Sequence, residues 1–155
     1  MIKAAFLVYD RTLFSGVTRP YEILKAVNAM ARLERDPRAL DLNMVKLEDE
    51  QPQVAGDIPL NIEERIESLG HMDWMFIPPN WREPAYLLKK YPKLPGMLRE
   101  RYEAGTNFIA TGAGAYFLAE AGLFENTPAT THWSYFDDFE KRYPEVELKR
   151  QHFIT

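Results

Sequence analysis

Three short apolar runs recur along the chain: AAFLVY (Ala4 to Tyr9), MDWMFI immediately before Pro78-Pro79, and NFIAT (Asn107 to Thr111). Runs this short with little polar alternation read as strands buried on both faces, and such strands belong to parallel sheets covered by helices. Between them lie segments with helical periodicity. Pro20 is expected to open a helix whose apolar face is Ile23, Leu24, Val27, Met30 and Ala31, ending in ERDPR. IEERIESLG reads as a short amphipathic helix stopped by Gly70. A further helix is expected from Pro95 to Ala104, with Gly105 at its end. Strands alternating with helices of this length imply βαβ units. The expectation is one domain spanning residues 1–155, an α/β/α three-layer sandwich around a mostly parallel sheet.

The remaining segments fill in that plan. LNMVKLE alternates like a strand with Leu42, Met44 and Val45 as inward candidates. EDEQPQVAGDIPLN is a polar connection with a short edge strand expected at Gln53 to Ala55. SYFDDFEKRYP reads as a last amphipathic helix with Tyr135, Phe136, Phe139 and Tyr143 on one side. VEL and HFIT look like the start of a further strand pair.

Composition excludes several kinds of chemistry. The chain has 155 residues, 46% hydrophobic and 27% charged, ordinary values for a globular domain. It contains no cysteine, so disulfides, thiolate catalysis and cysteine-based metal sites are excluded. His71, His132 and His152 lie far apart without ligand spacing, and neither a metal nor another cofactor is expected. A formal charge of -4 argues against these residues gripping nucleic acid themselves. No run approaches membrane-spanning length and no signal-peptide pattern opens the chain, so a soluble cytoplasmic protein is expected, with no membrane partner.

The stretch NFIATGAGAYFLAEAGL, Asn107 to Leu123, couples the third strand to a glycine turn and an apolar helix over Ala113 to Ala121. Many α/β enzymes carry a nucleophile on such an elbow. Here the turn holds Thr111, Gly112, Ala113 and Gly114, and no nucleophile. Two readings stay open: the glycines let the helix pack close to the sheet, or the helix opening at Ala113 offers its free N–H groups to an anion.

GAYFLAEAGLFENTPATTHWSYFDDFEKRYPEVEL resembles the ThiJ/PfpI (DJ-1-like) superfamily, with its class I glutamine-amidotransferase-like, flavodoxin-like fold. It is most like the version that forms the N-terminal domain of AraC-type transcriptional regulators. There the pattern runs C-T-G-A-F-x-L-A-x-A-G-L-L-x-G-x-x-A-T-T-H-W, then an acidic helix and R-Y/F-P-E-V. The likeness is strong from Gly114 to Val146 and continues weakly back through RPYEIL, against the family's G-P-x-E-V-L. By this resemblance the family's elbow cysteine falls on Gly112 and the following threonine on Ala113. Its acidic partner falls on Gly16. Its Pro-Gly-Gly, whose N–H groups help form an oxyanion hole, falls on Pro78-Pro79-Asn80. His132 is kept.

The resemblance therefore implies a non-catalytic ligand-sensing and dimerisation domain: a homodimer that binds an unknown small-molecule effector at the old active-site end. The pocket candidates are Gly16, Asn80, Gly112, Ala113, Tyr116 and His132, with Tyr9, Asp10 and Trp81 near the same rim. His132 has an alternative as a partly buried residue beside a core Trp133. Arg19 has two readings as well, an anion contact or a surface side chain. A ThiJ/PfpI-type amidase, hydratase or glyoxalase-like enzyme with altered chemistry, and a stand-alone interaction protein, are the alternatives. In the family the domain continues past the position of Thr155 with a strand, a helix, a linker and two helix-turn-helix motifs. Contact with DNA is expected only through that C-terminal domain.

Overall fold

The computed structural model describes residues 1–35 and 39–155. Its centre is a four-stranded sheet in the order β2-β1-β3-β4, from Leu40–Lys46 (β2), Ile2–Val8 (β1), Trp74–Ile77 (β3) and Asn107–Ala110 (β4). Every neighbouring pair is parallel, as the apolar runs predict. From β1 the chain crosses to β2 on one side, then to β3 on the other. The switch point therefore lies between the ends of β1 and β3, where open α/β sheets place ligands.

Each strand face has its own cover. Ala4, Phe6 and Val8 point with Leu42 towards helix α1 (Ser15–Leu33) and the loop residues Val54 and Ile62. Ala5, Leu7 and Tyr9 point the other way with Val45, Met75 and Ile77. Against them pack helices α2 (Pro84–Lys90), α3 (Leu94–Glu103) and α4 (Ala115–Glu120). A third cluster joins α4 to helix α5 (Phe136–Arg142) through Tyr116, Phe139, Tyr143 and Val146. The three layers are present, with one long helix on one face and three short ones on the other.

Helix α1 departs from the expectation in two ways. It begins at Ser15, so Pro20 sits inside it rather than at its start. The ring removes an N–H and leaves the carbonyl of Gly16 without its usual partner four residues on. The helix is also rotated relative to the expected face. Asn28 is buried and its amide exchanges two hydrogen bonds with the backbone of Leu40, at 2.8 and 3.0 Å. That clamp sets Val17, Tyr21 and Leu24 against the sheet. Ile23 and Met30 are left 63% and 60% exposed, and Val27 and Leu33 stand out with them. The helix ends at Leu33, and part of the ERDPR stop lies outside the described residues.

Other differences are local. IEERIESLG forms only a single 3-10 turn, Ile66–Ser68. Gln53 to Ala55 is not a strand, although Arg11 N–H donates to Gln53 O and Ala55 N–H to Thr12 O. VEL contributes one isolated bridge, Ala129 to Leu148, and HFIT forms no strand, with Phe153 and Ile154 in solvent. α2 answers to no expected helix. Its signals were Pro84 in the first turn and Lys89-Lys90 in the last. β4 was expected to be buried on both faces but is a half-exposed edge strand.

Candidate functional site

The chain turns sharply after β4. Thr111 is extended, Gly112 takes φ +53°, and a 3-10 turn over Gly112–Gly114 leads into α4. Regular helix thus begins at Ala115, not Ala113, and runs for six residues. So short a helix has little dipole to offer an anion. Gly114 explains the turn's second glycine. A Cβ there would lie 2.7 Å from Pro78 O and 2.8 Å from Ile77 O, so only glycine lets α4 sit against the end of β3.

Gly112 and Gly16 face a common neighbour. A Cβ on Gly112 would come within 3.2 Å of Pro79 Cβ. A Cβ on Gly16 would reach 2.9 Å from Pro79 Cγ, and its Cδ is nearer still. The Pro79 ring therefore fills the space between the two glycines. Its loop is pinned to the loop after β1: Leu13 N–H donates to Pro79 O at 2.8 Å and Trp81 N–H to Arg11 O at 2.6 Å. Thr12 and Asn80 form an antiparallel bridge, and the buried Tyr9 hydroxyl donates to Pro78 O. Burial pushes that phenol's pKa upward. Asn80 is buried with its Nδ2 donating to Arg82 O at 2.9 Å, while its Oδ1 has no partner among the described residues. What Asn80 leaves unpaired is an acceptor, and an acceptor cannot stabilise an oxyanion.

Two of the expected pocket residues do share a groove. Gly112 and His132 line a cleft of about 880 Å³ along the open edge of β4, with Ala115, Thr131, Trp133 and Phe136, and with residues 150–155 forming one bank. Thr131 Oγ1 donates to Gly112 O at 2.9 Å, fixing ATTHW against the elbow. His132 is exposed. Its Nδ1 lies 2.7 Å from Ser134 Oγ and accepts from Ser134 N–H at 3.3 Å, capping the 3-10 turn Trp133–Tyr135. Trp133 is 74% exposed and fills no core.

Gly16, Asn80, Ala113 and Tyr116 lie outside that groove. Ala113 and Tyr116 are buried in the cluster with α5. The Tyr116 hydroxyl donates to Asp138 Oδ2 at 2.9 Å, and its pKa is raised by burial and then by that carboxylate. Arg19 is exposed on α1. Sequence reasoning missed Thr131, Phe136 and the 150–155 segment as groove residues, and missed that Pro79 occupies space as well as lacking an N–H.

This architecture has close counterparts. An AraC-family transcriptional regulator from Pseudomonas putida superposes with a TM-score of 0.76 at 18% identity, covering 96% of this chain and 76% of that one. The chain has the DJ-1/ThiJ/PfpI fold. DJ-1 from Schizosaccharomyces pombe matches with a TM-score of 0.72 at 17% identity, over 97% of this chain and 77% of that one. A candidate transcriptional regulator from Vibrio parahaemolyticus gives a TM-score of 0.85 at 20% identity over the same shares. No family model matches the sequence. Among curated proteins, the regulator CdhR of Pseudomonas aeruginosa is 30% identical over 94 residues, 61% of this chain and 27% of its own length. The regulator ArgR of the same organism is 38% identical over 55 residues, 36% of this chain and 17% of its own. Both are helix-turn-helix regulators, and this chain spans about a quarter of their length or less.

Proposed function

We propose that this chain is a non-catalytic ligand-sensing and dimerisation domain of an AraC-type transcriptional regulator. The observation that carries the reading is the Pro79 ring seated between Gly16 and Gly112. A nucleophile would stand at one glycine and its acidic partner at the other, and the gap between them is packed. The similarity to regulators in sequence and in structure supports the same reading. The effector belongs in the groove over Gly112 and His132, where an apolar wall and a ring nitrogen meet. DNA contact belongs to a helix-turn-helix domain outside these residues.

Dimerisation has its own support. Ile23, Ala26, Met30 and Leu33 are exposed at spacings of three, four and three, with Val27 beside them, which is the seam of a helix pair. Arg19 stands at one end of the stripe and Glu34 at the other. An antiparallel two-fold pairing sets Ile23 opposite the partner's Met30 and Arg19 opposite the partner's Glu34. Such a patch is self-complementary.

The test fuses the chain to a DNA-binding domain that represses only as a dimer. The wild-type fusion should repress and Val27→Glu should not, with the two giving the same circular dichroism spectrum. A fusion that fails to repress, or a Val27→Glu fusion that represses as well as wild type, overturns the dimerisation reading.

A further inference from the structure

A second cavity, of about 440 Å³, opens beyond the carboxyl ends of β1 and β2, with α2 as its far wall. It shares no residue with the groove at Gly112. Lys46, the last residue of β2, lines it with only 8% of its surface exposed. Its Nζ donates to a single backbone carbonyl, Asp49 O at 2.6 Å, and among the described residues it makes no ion pair. Lysines are seldom so buried without a carboxylate, because removing the charge from water is costly. Only one of its three N–H donors has a partner among the described residues.

The other charges there are already committed, apart from one. Asp10 accepts from Lys90 Nζ and, at 2.9 Å, from Gln53 N–H. Lys90 reaches Glu48 as well, at 3.6 Å. Those contacts build a rigid wall and leave no free charge in it. Glu50 lines the mouth, exposed and without an ion pair among the described residues. The Tyr86 ring stands at the opening from α2.

We infer that this cavity binds a small zwitterion, a carboxylate held by Lys46 and an ammonium group turned towards Glu50. Charge selects this class over simpler ones. Lys46 and Lys90 against Asp10, Glu48 and Glu50 leave the lining with one negative charge in excess. A phosphate would meet that excess unfavourably, and a plain amine would find a buried ammonium in its way. A molecule with both groups satisfies each end, and the volume suits one of amino-acid size.

The experiment screens the proteinogenic L-α-amino acids one at a time by thermal shift and calorimetry. Succinate, putrescine and inorganic phosphate serve as probes carrying one sign of charge. At least one amino acid should bind, with the single-charge probes about tenfold weaker or worse. Lys46→Met should lower that affinity about tenfold or more, and Glu50→Gln by a smaller factor. Lys46→Met removes an unpaired buried cation, so its urea midpoint should equal or exceed that of wild type. Amide shifts in the wild-type protein, which need no variant, should cluster at residues 46–53 and 86–91. Absence of binding by every amino acid overturns the inference, as does tighter binding of phosphate, succinate or putrescine. So does unchanged affinity in a folded Lys46→Met. Shifts clustered instead at Gly112 and His132 would overturn it while supporting the effector groove.

Discussion

Pro79 is the residue on which the account turns. Its ring atoms Cγ and Cδ are the ones a side chain at Gly16 would strike. Gly16→Ala should therefore destabilise the protein by about 1–3 kcal/mol through overpacking. In a Pro79→Ala background those ring atoms are gone, and the same substitution should cost much less. Urea unfolding of wild type, both single variants and the double variant should give a coupling of about 1 kcal/mol or more. Additive costs would mean that the two residues do not share the space. The sequence made half of this legible. That Pro79 cannot donate a hydrogen bond follows from its covalent structure, whereas its filling of the gap depends on how two loops are tied together through Leu13, Arg11 and Trp81. The same distinction holds for Tyr116, which could have faced the elbow or α5. The Asp138 carboxylate, one α5 turn before Arg142, decides for α5.

At the scale of elements, the seat of α4 on β3 is set by Gly114. Gly114→Ala would press a methyl group against two backbone carbonyls that cannot move without disturbing β3. The expected loss is about 3 kcal/mol, at the upper end for overpacking. A change below roughly 1 kcal/mol in chemical denaturation would show that α4 can shift away. Helix α1 shows where periodicity stops being informative. It carries two apolar stripes, one through Val17, Tyr21 and Leu24 and one through Ile23, Val27 and Met30. A periodicity count sees both and cannot say which meets the sheet. Asn28 settles it through two hydrogen bonds to a strand twelve residues away, a tertiary fact. α2 escaped notice because its seven residues make fewer than two turns, too short for a period to show. Ile66–Ser68 fails to extend for a different reason: Glu64 and Arg65 just before it pair with Lys46 at the end of β2, which holds them extended.

For the whole molecule, the parallel sheet was readable because β1, β3 and β4 left short apolar runs and β2 an alternating one, whereas the order β2-β1-β3-β4 came only from the structure. β4 was the exception. Its apolar residues suit a central strand, yet it stands at the edge, with Ile109 over a third exposed. Alkaline pH tests the core as a unit. Tyr9, Tyr91, Tyr116 and Tyr143 all have pKa values raised above the ordinary 10.0, chiefly by burial. Above pH 10 the folded state then holds more protons than the unfolded one, so stability is intact below that pH and falls as pH rises through it. Of the eight tyrosines in the chain, these four should ionise only as the protein unfolds, read as tyrosinate absorbance rising together with loss of circular dichroism. Full ionisation in a folded protein would contradict the burial.

Under the proposed non-catalytic reading the scaffold keeps the shape of a reaction centre without its chemistry, and a thiol placed at the elbow measures that directly. Gly112→Cys would stand on the same left-handed turn, with Pro79 at its side, a glycine at position 16 and no acid between them. Its pKa, from the pH dependence of alkylation, should stay near the ordinary value of about 8.5. A thiol titrating near pH 6 or below, with turnover of amide or glyoxal substrates, would show that the site still activates a nucleophile and would contradict the account.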